Sequence, residues 1–144
     1  MEELLLPRSI HRRILDTIGS VPAEAGGVLA LRGNTVADYY YDHSADSGRR
    51  FYKPNASRIT RQANLWLAQG LSFGGFIHSH PPRKPSLSAM DLVAAQQTMY
   101  ANCLPHLYMA ILCQGELYFY RVRRPQGENL AVSEPCPFRI TEDQ

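Results

Sequence analysis

The chain has 144 residues, 44% of them hydrophobic and 19% charged, with a formal net charge of +2. That length suits one domain, residues 1–144, built around one core, and the composition excludes a disordered or low-complexity chain. So small a positive charge, with no stripe of Lys and Arg, argues against a nucleic-acid partner.

The N-terminal run Met1 to Pro7 (MEELLLP) is acidic and its apolar part is too short for a signal peptide. Helical spacing begins at Ser9, where Ile10, Ile14 and Ile18 recur on one face; Gly19 and Pro22 end that helix. His11, Arg12 and Arg13 fall on its solvent side. Gly26 to Leu31 and Thr35 to Tyr41 then read as two strands joined by Arg32-Gly33-Asn34, a hairpin signal. Glu24 sits just before the first of them, in Pro22-Ala23-Glu24-Ala25-Gly26-Gly27. Asp42 to Arg50 is polar and reads as a loop, with His43 solvent-exposed, and Phe51 to Lys53 as a short strand. Asn55 or Ser57 caps a second helix whose apolar positions are Ile59, Ala63, Trp66 and Leu67, closed by Gly70. Trp66 at that spacing belongs to the core.

A short apolar run, Phe73 to Ile77, ends in His78-Ser79-His80 and is halted by Pro81-Pro82. A proline-rich loop leads to Ser88, and Leu92, Ala95 and Met99 give the next helix its buried stripe. His106 to Cys113 and Glu116 to Val122 form a further hairpin about Gln114-Gly115. The tail from Asn129, interrupted by Pro135 and Pro137, is expected to be an edge strand or an irregular strap. Cys103, Cys113 and Cys136 are odd in number and lack a C-x-x-C, so they read as reduced thiols, and a cytoplasmic location is expected. No stretch approaches the length of a membrane span.

Chemistry concentrates between His78 and Asp91. Strand alternation sends residues i and i+2 to one face, so His78 and His80 point the same way and Ser79 points away. A lone H-x-H is weak evidence, because histidine is so often a plain hydrogen-bonder. Asp91 can add an oxygen ligand once the loop folds back, and two imidazoles, one carboxylate and an open position make the ligand set of a catalytic zinc. Ser88 followed by Asp91 three residues later is also a helix N-cap with an acidic first turn. The two roles are compatible.

The full string, His78-x-His80, seven residues, Ser88, two residues, Asp91, with Pro81 after the second histidine, resembles the signature of the JAMM (MPN-plus) zinc isopeptidases. The order of elements resembles that family along nearly the whole chain. The resemblance implies an α+β fold of the cytidine-deaminase-like kind, with a curved, mostly antiparallel or mixed sheet flanked by helices and the H-x-H strand central. It implies one Zn2+ per chain held by His78, His80 and Asp91. It assigns Glu24 the role of general base, with Ser88 donating a hydrogen bond to the oxyanion of an attacked amide.

Eukaryotic deubiquitinating members typically carry an aromatic-Leu pair before a double serine; here Ser86-Leu87-Ser88-Ala89 stands instead. Compact, proline-rich versions of this loop resemble bacterial or archaeal members, which implies a ubiquitin-like or sulfur-carrier protein as substrate. Its C-terminal Gly-Gly tail would pair with an edge near Arg49 to Lys53, where Arg49, Arg50 and Lys53 attract an acidic surface. Three other readings compete. A ligand-less MPN-type scaffold is argued against by the five filled positions. A DNA-repair-associated relative would need a basic face. A two-motif phosphodiesterase would need a second copy that His43-Ser44-Ala45 does not provide.

Overall fold

The computed structural model describes residues 2–43, 52–124 and 131–143. In chain order the elements are β1 (Leu4–Pro7), α1 (Arg8–Asp16), a 3₁₀ turn (Ile18–Ser20), β2 (Gly26–Arg32), β3 (Thr35–Tyr41) and α2 (Ala56–Ala68). They continue with β4 (Ser72–Ser79), α3 (Ala89–Ala101), β5 (His106–Cys113), β6 (Glu116–Arg123), β7 (Val132–Pro135) and β8 (Phe138–Thr141). The strands form one mixed sheet in the order β7-β6-β5-β4-β2-β3-β1-β8. Parallel pairs are β4–β5, β1–β3 and β1–β8; the remaining neighbours run antiparallel. This is the expected α+β architecture, with the H-x-H strand β4 near the middle.

The sheet is curled until its ends nearly meet. Its outermost strands, β7 and β8, are separated in sequence by Cys136 and Pro137 alone, a link that spans no more than about 11 Å. The Cys136 N–H donates to the Phe119 carbonyl of β6, 2.8 Å, and the Leu4 N–H of β1 donates to the Pro137 carbonyl, 2.9 Å. The tail is therefore an edge strand at both ends of the sheet, with the proline link between them.

Each face of the sheet carries its own core. Leu29 and Ile77 pack with Ile10, Ile14 and Ile18 of the first helical region and with Leu112 and Phe119. Val28, Ala30 and Phe76 pack on the other face with Ile59 and Trp66 of α2 and with Ala95 and Met99 of α3. Alternation along β4 thus places Phe76 and His78 beneath α2 and α3, and Ile77 and Ser79 on the α1 side.

Several expectations need correction. The N-terminal leucines form β1, burying Leu4 and Leu6; three leucines in a row carry no alternation, so the strand was hidden. Leu67 is not core but 72% exposed, because it lies about 100° around α2 from the buried Trp66. Phe51 to Lys53 is not seen as a strand: Phe51 lies outside the described residues, and Lys53 makes only an isolated bridge. Asp42, assigned to a polar loop, is 2% exposed. Residues 44–50, including Arg49 and Arg50, lie outside the described residues. Asn55 is the cap of α2, accepting from the Arg58 N–H at 3.2 Å. No helix among the described residues is long and apolar enough to cross a membrane.

Strand β4 is gripped by β2 on one side and β5 on the other, and Gly75 makes that fit possible. Its φ is +139°, and a Cβ there would overlap the Tyr108 carbonyl of β5. Gly75→Ala is expected to cost about 3 kcal/mol or more, from backbone strain and overpacking together. A urea titration checks this, the midpoint falling with an unchanged slope.

Candidate metal centre

The antiparallel pairing of β2 with β4 opposes Gly26 to His78, so the start of β2 lies beside the end of β4. One residue further out the two segments are stitched together. The Ser79 N–H donates to the Ala25 carbonyl at 2.8 Å, and the Ala25 N–H donates to Ser79 Oγ at 3.0 Å. Ser79, pointing away from the two histidines as alternation requires, thereby fixes the segment that carries Glu24. The ligand atoms of Glu24, His78 and His80 all lie within 4.8 Å of one another, a group that could hold a metal ion.

Helix α3 delivers the second carboxylate. Ser88 is its N-cap in a full capping box: Ser88 Oγ accepts from the Asp91 N–H at 3.1 Å, and the Ser88 N–H donates to Asp91 Oδ2 at 2.8 Å. This geometry turns the Asp91 carboxylate toward both imidazoles, with Oδ1 3.1 Å from His78 Nε2 and Oδ2 3.3 Å from His80 Nε2. The capping role is present, and it leaves the Asp91 carboxylate beside the imidazoles. The capping role uses a lone pair of Ser88 Oγ, not its hydrogen, and the residue lines the adjoining cavity.

His78 and His80 are 3% and 8% exposed, with their Nε2 atoms 2.8 Å apart. His80 Nδ1 lies 2.8 Å from the Lys84 carbonyl, which can only accept, so Nδ1 carries the proton. In the neutral ring Nε2 is then a bare lone pair aimed at His78 and Asp91. Fixing the tautomer through Nδ1 is what an imidazole ligand requires. Two buried imidazole nitrogens and two carboxylates converging on one point therefore fit a divalent metal, which relieves the contact between the facing nitrogens.

The two carboxylates differ electrically. Burial pushes the Glu24 carboxyl up, against the opposing pull of His78 and His80. Burial works to raise Asp91 too, but its bonds from His78 and His80 dominate and hold it far below the usual carboxylate range. Burial disfavours charge on His80, yet the Asp91 bond and the Lys84 carbonyl outweigh it and raise the ring.

A cavity of about 720 Å³ opens beside these groups. Phe76, Leu87, Met90 and Met109 supply apolar wall, and Tyr52, Arg83 and Lys84 also border the cavity. All five residues expected from the sequence, Glu24, His78, His80, Ser88 and Asp91, thus meet at one place. Two contributors were not anticipated: Tyr52, whose ring stacks on His78 at 6.3 Å between centroids, and the buried Asp42 that accepts from its phenol. Asp42 carried one usable signal, since it directly follows the alternating strand β3.

The chain belongs to the family of prokaryotic homologs of the JAB domain, whose profile matches residues 8–123. Among solved structures it is similar to a protein from Desulfitobacterium hafniense, determined in solution, at 17% identity and a TM-score of 0.68. That match covers 97% of this chain and 94% of the other. A JAB1/MPN domain protein from Archaeoglobus fulgidus is similar at 13% identity and a TM-score of 0.52, over 96% of this chain and 99% of that one. At these identities the likeness is one of fold. No curated protein matches the chain.

The titration shifts set the pH response of the metal-stripped protein. His80, raised above 6.5, contributes stability that is fully present below that pH and is lost as pH rises through the folded value. Asp91, lowered from 3.8, contributes stability that is present above that pH and is lost as pH falls through its folded value. Melting curves of metal-stripped protein should therefore show a midpoint that declines from pH 6 to pH 8. His80→Gln should flatten that decline.

Proposed function

We propose that this chain is a zinc-dependent hydrolase that cleaves the peptide or isopeptide bond after the C-terminal Gly-Gly of a ubiquitin-like or sulfur-carrier protein. The observation that carries the reading is the meeting of Glu24, His78, His80 and Asp91 at the wall of a cavity that Ser88 also lines. His78, His80 and Asp91 would hold the ion, a two-nitrogen, one-oxygen set that leaves a position open. When bound there, zinc supplies Lewis acidity: it acidifies water and polarises a carbonyl oxygen.

The chain's own residues supply the remainder. Asp91, held ionised by its hydrogen bonds, serves as a permanent anionic ligand. Glu24, with its proton affinity raised by burial, can take a proton from the attacking water and deliver it to the leaving amine. The Ser88 hydroxyl can donate to the oxygen that gains charge as the carbonyl is attacked. A Gly-Gly tail suits the approach because glycine brings no side chain to clash beside the cluster. Lys53, exposed, together with Arg49 and Arg50 outside the described residues, would favour an acidic partner surface.

Two experiments test this. Protein purified without added metal should contain one zinc per chain, and His78→Ala or His80→Ala should each remove most of it. Glu24→Gln should keep the zinc while turnover falls by at least about 10²-fold, the scale of a lost general base. Asp91→Asn should weaken both, and Ser88→Ala should cost about 10²–10³ in rate with metal retained. Loss of zinc from Glu24→Gln would reverse the roles given to the two carboxylates.

The substrate is tested by mass spectrometry of a Gly-Gly-ending carrier protein bearing a C-terminal extension. Cleavage after the second glycine is expected with wild type and not with Glu24→Gln. Unstructured peptides should be cut poorly, because contacts remote from the scissile bond supply binding energy. Equal cutting of such peptides would indicate a general metallopeptidase instead.

A further inference from the structure

The loop from Pro81 to Leu87 is tied to the β5–β6 hairpin before Ser88 caps α3. Cys113 Sγ donates to the Pro81 carbonyl at 3.3 Å, and the Arg83 N–H donates to Gln114 Oε1 at 3.3 Å. The Tyr120 phenol, on β6, donates to the Pro85 carbonyl at 2.8 Å. The first two ties are weak, one because a thiol is a poor donor and the other because it is long. The third is short and well made. Between them stands the Lys84 carbonyl, which turns to the metal cluster and takes the His80 Nδ1 proton at 2.8 Å. The group that fixes the His80 tautomer is thus bracketed by a tie one residue before it, at Arg83, and one residue after it, at Pro85. Tyr118, two residues before Tyr120 on the same face of β6, makes no hydrogen bond among the described residues and is 37% exposed.

We propose that Tyr120 is a positioning residue for His80: by holding the Pro85 carbonyl it sets the Lys84 carbonyl against Nδ1, and so keeps the Nε2 lone pair directed at the cluster. The two carbonyls are joined by one planar peptide and the two backbone torsions of Pro85. The proline ring locks φ near about −65°, so an anchored Pro85 oxygen leaves a single soft torsion between Tyr120 and the Lys84 oxygen. Lys84, as the residue before a proline, is itself restricted to extended backbone. A shift of about 1 Å in the Lys84 oxygen would carry its contact with Nδ1 beyond hydrogen-bonding range. A neutral imidazole has one N–H. Without an acceptor at Nδ1, that proton can sit on Nε2 and occupy the lone pair an ion needs. Outer partners that orient a metal ligand in this way are worth about 10–100-fold in affinity.

The inference rests on the reading of His80 as a metal ligand, so one arm of its test is read without metal. In metal-stripped protein at about pH 8, nitrogen-edited NMR should show a slowly exchanging His80 Nδ1–H proton. Tyr120→Phe, which removes only the phenol hydroxyl, should broaden or abolish that signal, and Tyr118→Phe should leave it intact. The second arm is zinc affinity, measured by competition with a chromophoric chelator. Tyr120→Phe should raise the zinc Kd about ten-fold, with no change from Tyr118→Phe. Pro85→Ala keeps both carbonyls but frees φ, so it should raise the Kd by less; it carries the same comparison within the loop itself. An unchanged Kd in Tyr120→Phe, or a raised Kd with the Nδ1–H signal intact, would overturn the proposal. So would an equal effect from Tyr118→Phe, or absence of the signal from the wild type. A wild type that binds no zinc would remove the reading of the metal site, while the proton signal would still decide whether Tyr120 positions the His80 ring.

Discussion

The site depends on one stitch between segments 54 residues apart, the paired bonds of Ala25 and Ser79. Because β2 and β4 run antiparallel, the residues that precede β2 must lie beside the residues that end β4. A parallel pairing would carry Glu24 to the far end of the strand, about 20 Å from the histidines at the rise of a typical strand. The serine between the two histidines is thus structural. Its side chain faces away from the cluster and closes the register by one residue beyond the last strand pair. Slipping that register by one would send His78 and His80 to the α1 side, against Ile14 and Leu112.

Two carboxylates and two imidazoles in so small a space could not all hold the charge they carry in water. The fold resolves this by giving the carboxylates different surroundings. Asp91 lies 3.1 and 3.3 Å from the Nε2 atoms of the two rings and accepts from the Ser88 N–H at the start of α3, where the N-terminal end of the helix favours an anion. Glu24 has burial working against its charge and lines the cavity beside the rings. Environments that push two neighbouring acids apart are how one site obtains a fixed anion and a proton carrier from the same chemical group. The difference agrees with the roles proposed for the two residues, and it arises from packing that the motif alone does not specify.

Much of this could be read in the chain. The spacing from His78 to Asp91 is local, and strand alternation followed by a capped helix start is enough to predict that the side chains converge. Glu24 was reachable through family resemblance but not through periodicity, since nothing within its segment says which later strand it will meet. The pairing of Asp42 with Tyr52 was not reachable. A tyrosine hydroxyl and an aspartate ten residues apart show no period, and their partnership exists only because Gly26 leaves room for the ring. The curl of the sheet was hidden for a related reason. It is enforced by contacts between Leu4 and Pro137, at opposite ends of the chain, and by a β1 strand too short to alternate visibly.

The capping box has a consequence for the whole domain. In most helices the N-cap serves the helix alone and is worth about 1 kcal/mol. Here the residue that completes the cap also faces the imidazoles, so the start of α3 and the end of β4 are joined through a polar cluster as well as through Ala95 and Met99 beneath them. An ion bound by this cluster binds the folded chain and not the unfolded one, and so stabilises the fold by mass action, about 4 kcal/mol at a thousand-fold excess over its dissociation constant. That stabilisation would act where α3 meets β4, beside the loop from Pro81 to Leu87, whose ties include the Lys84 carbonyl on His80 and the Pro85 carbonyl on Tyr120. An ion held there would therefore stiffen the cavity wall, through the same few residues that would hold it.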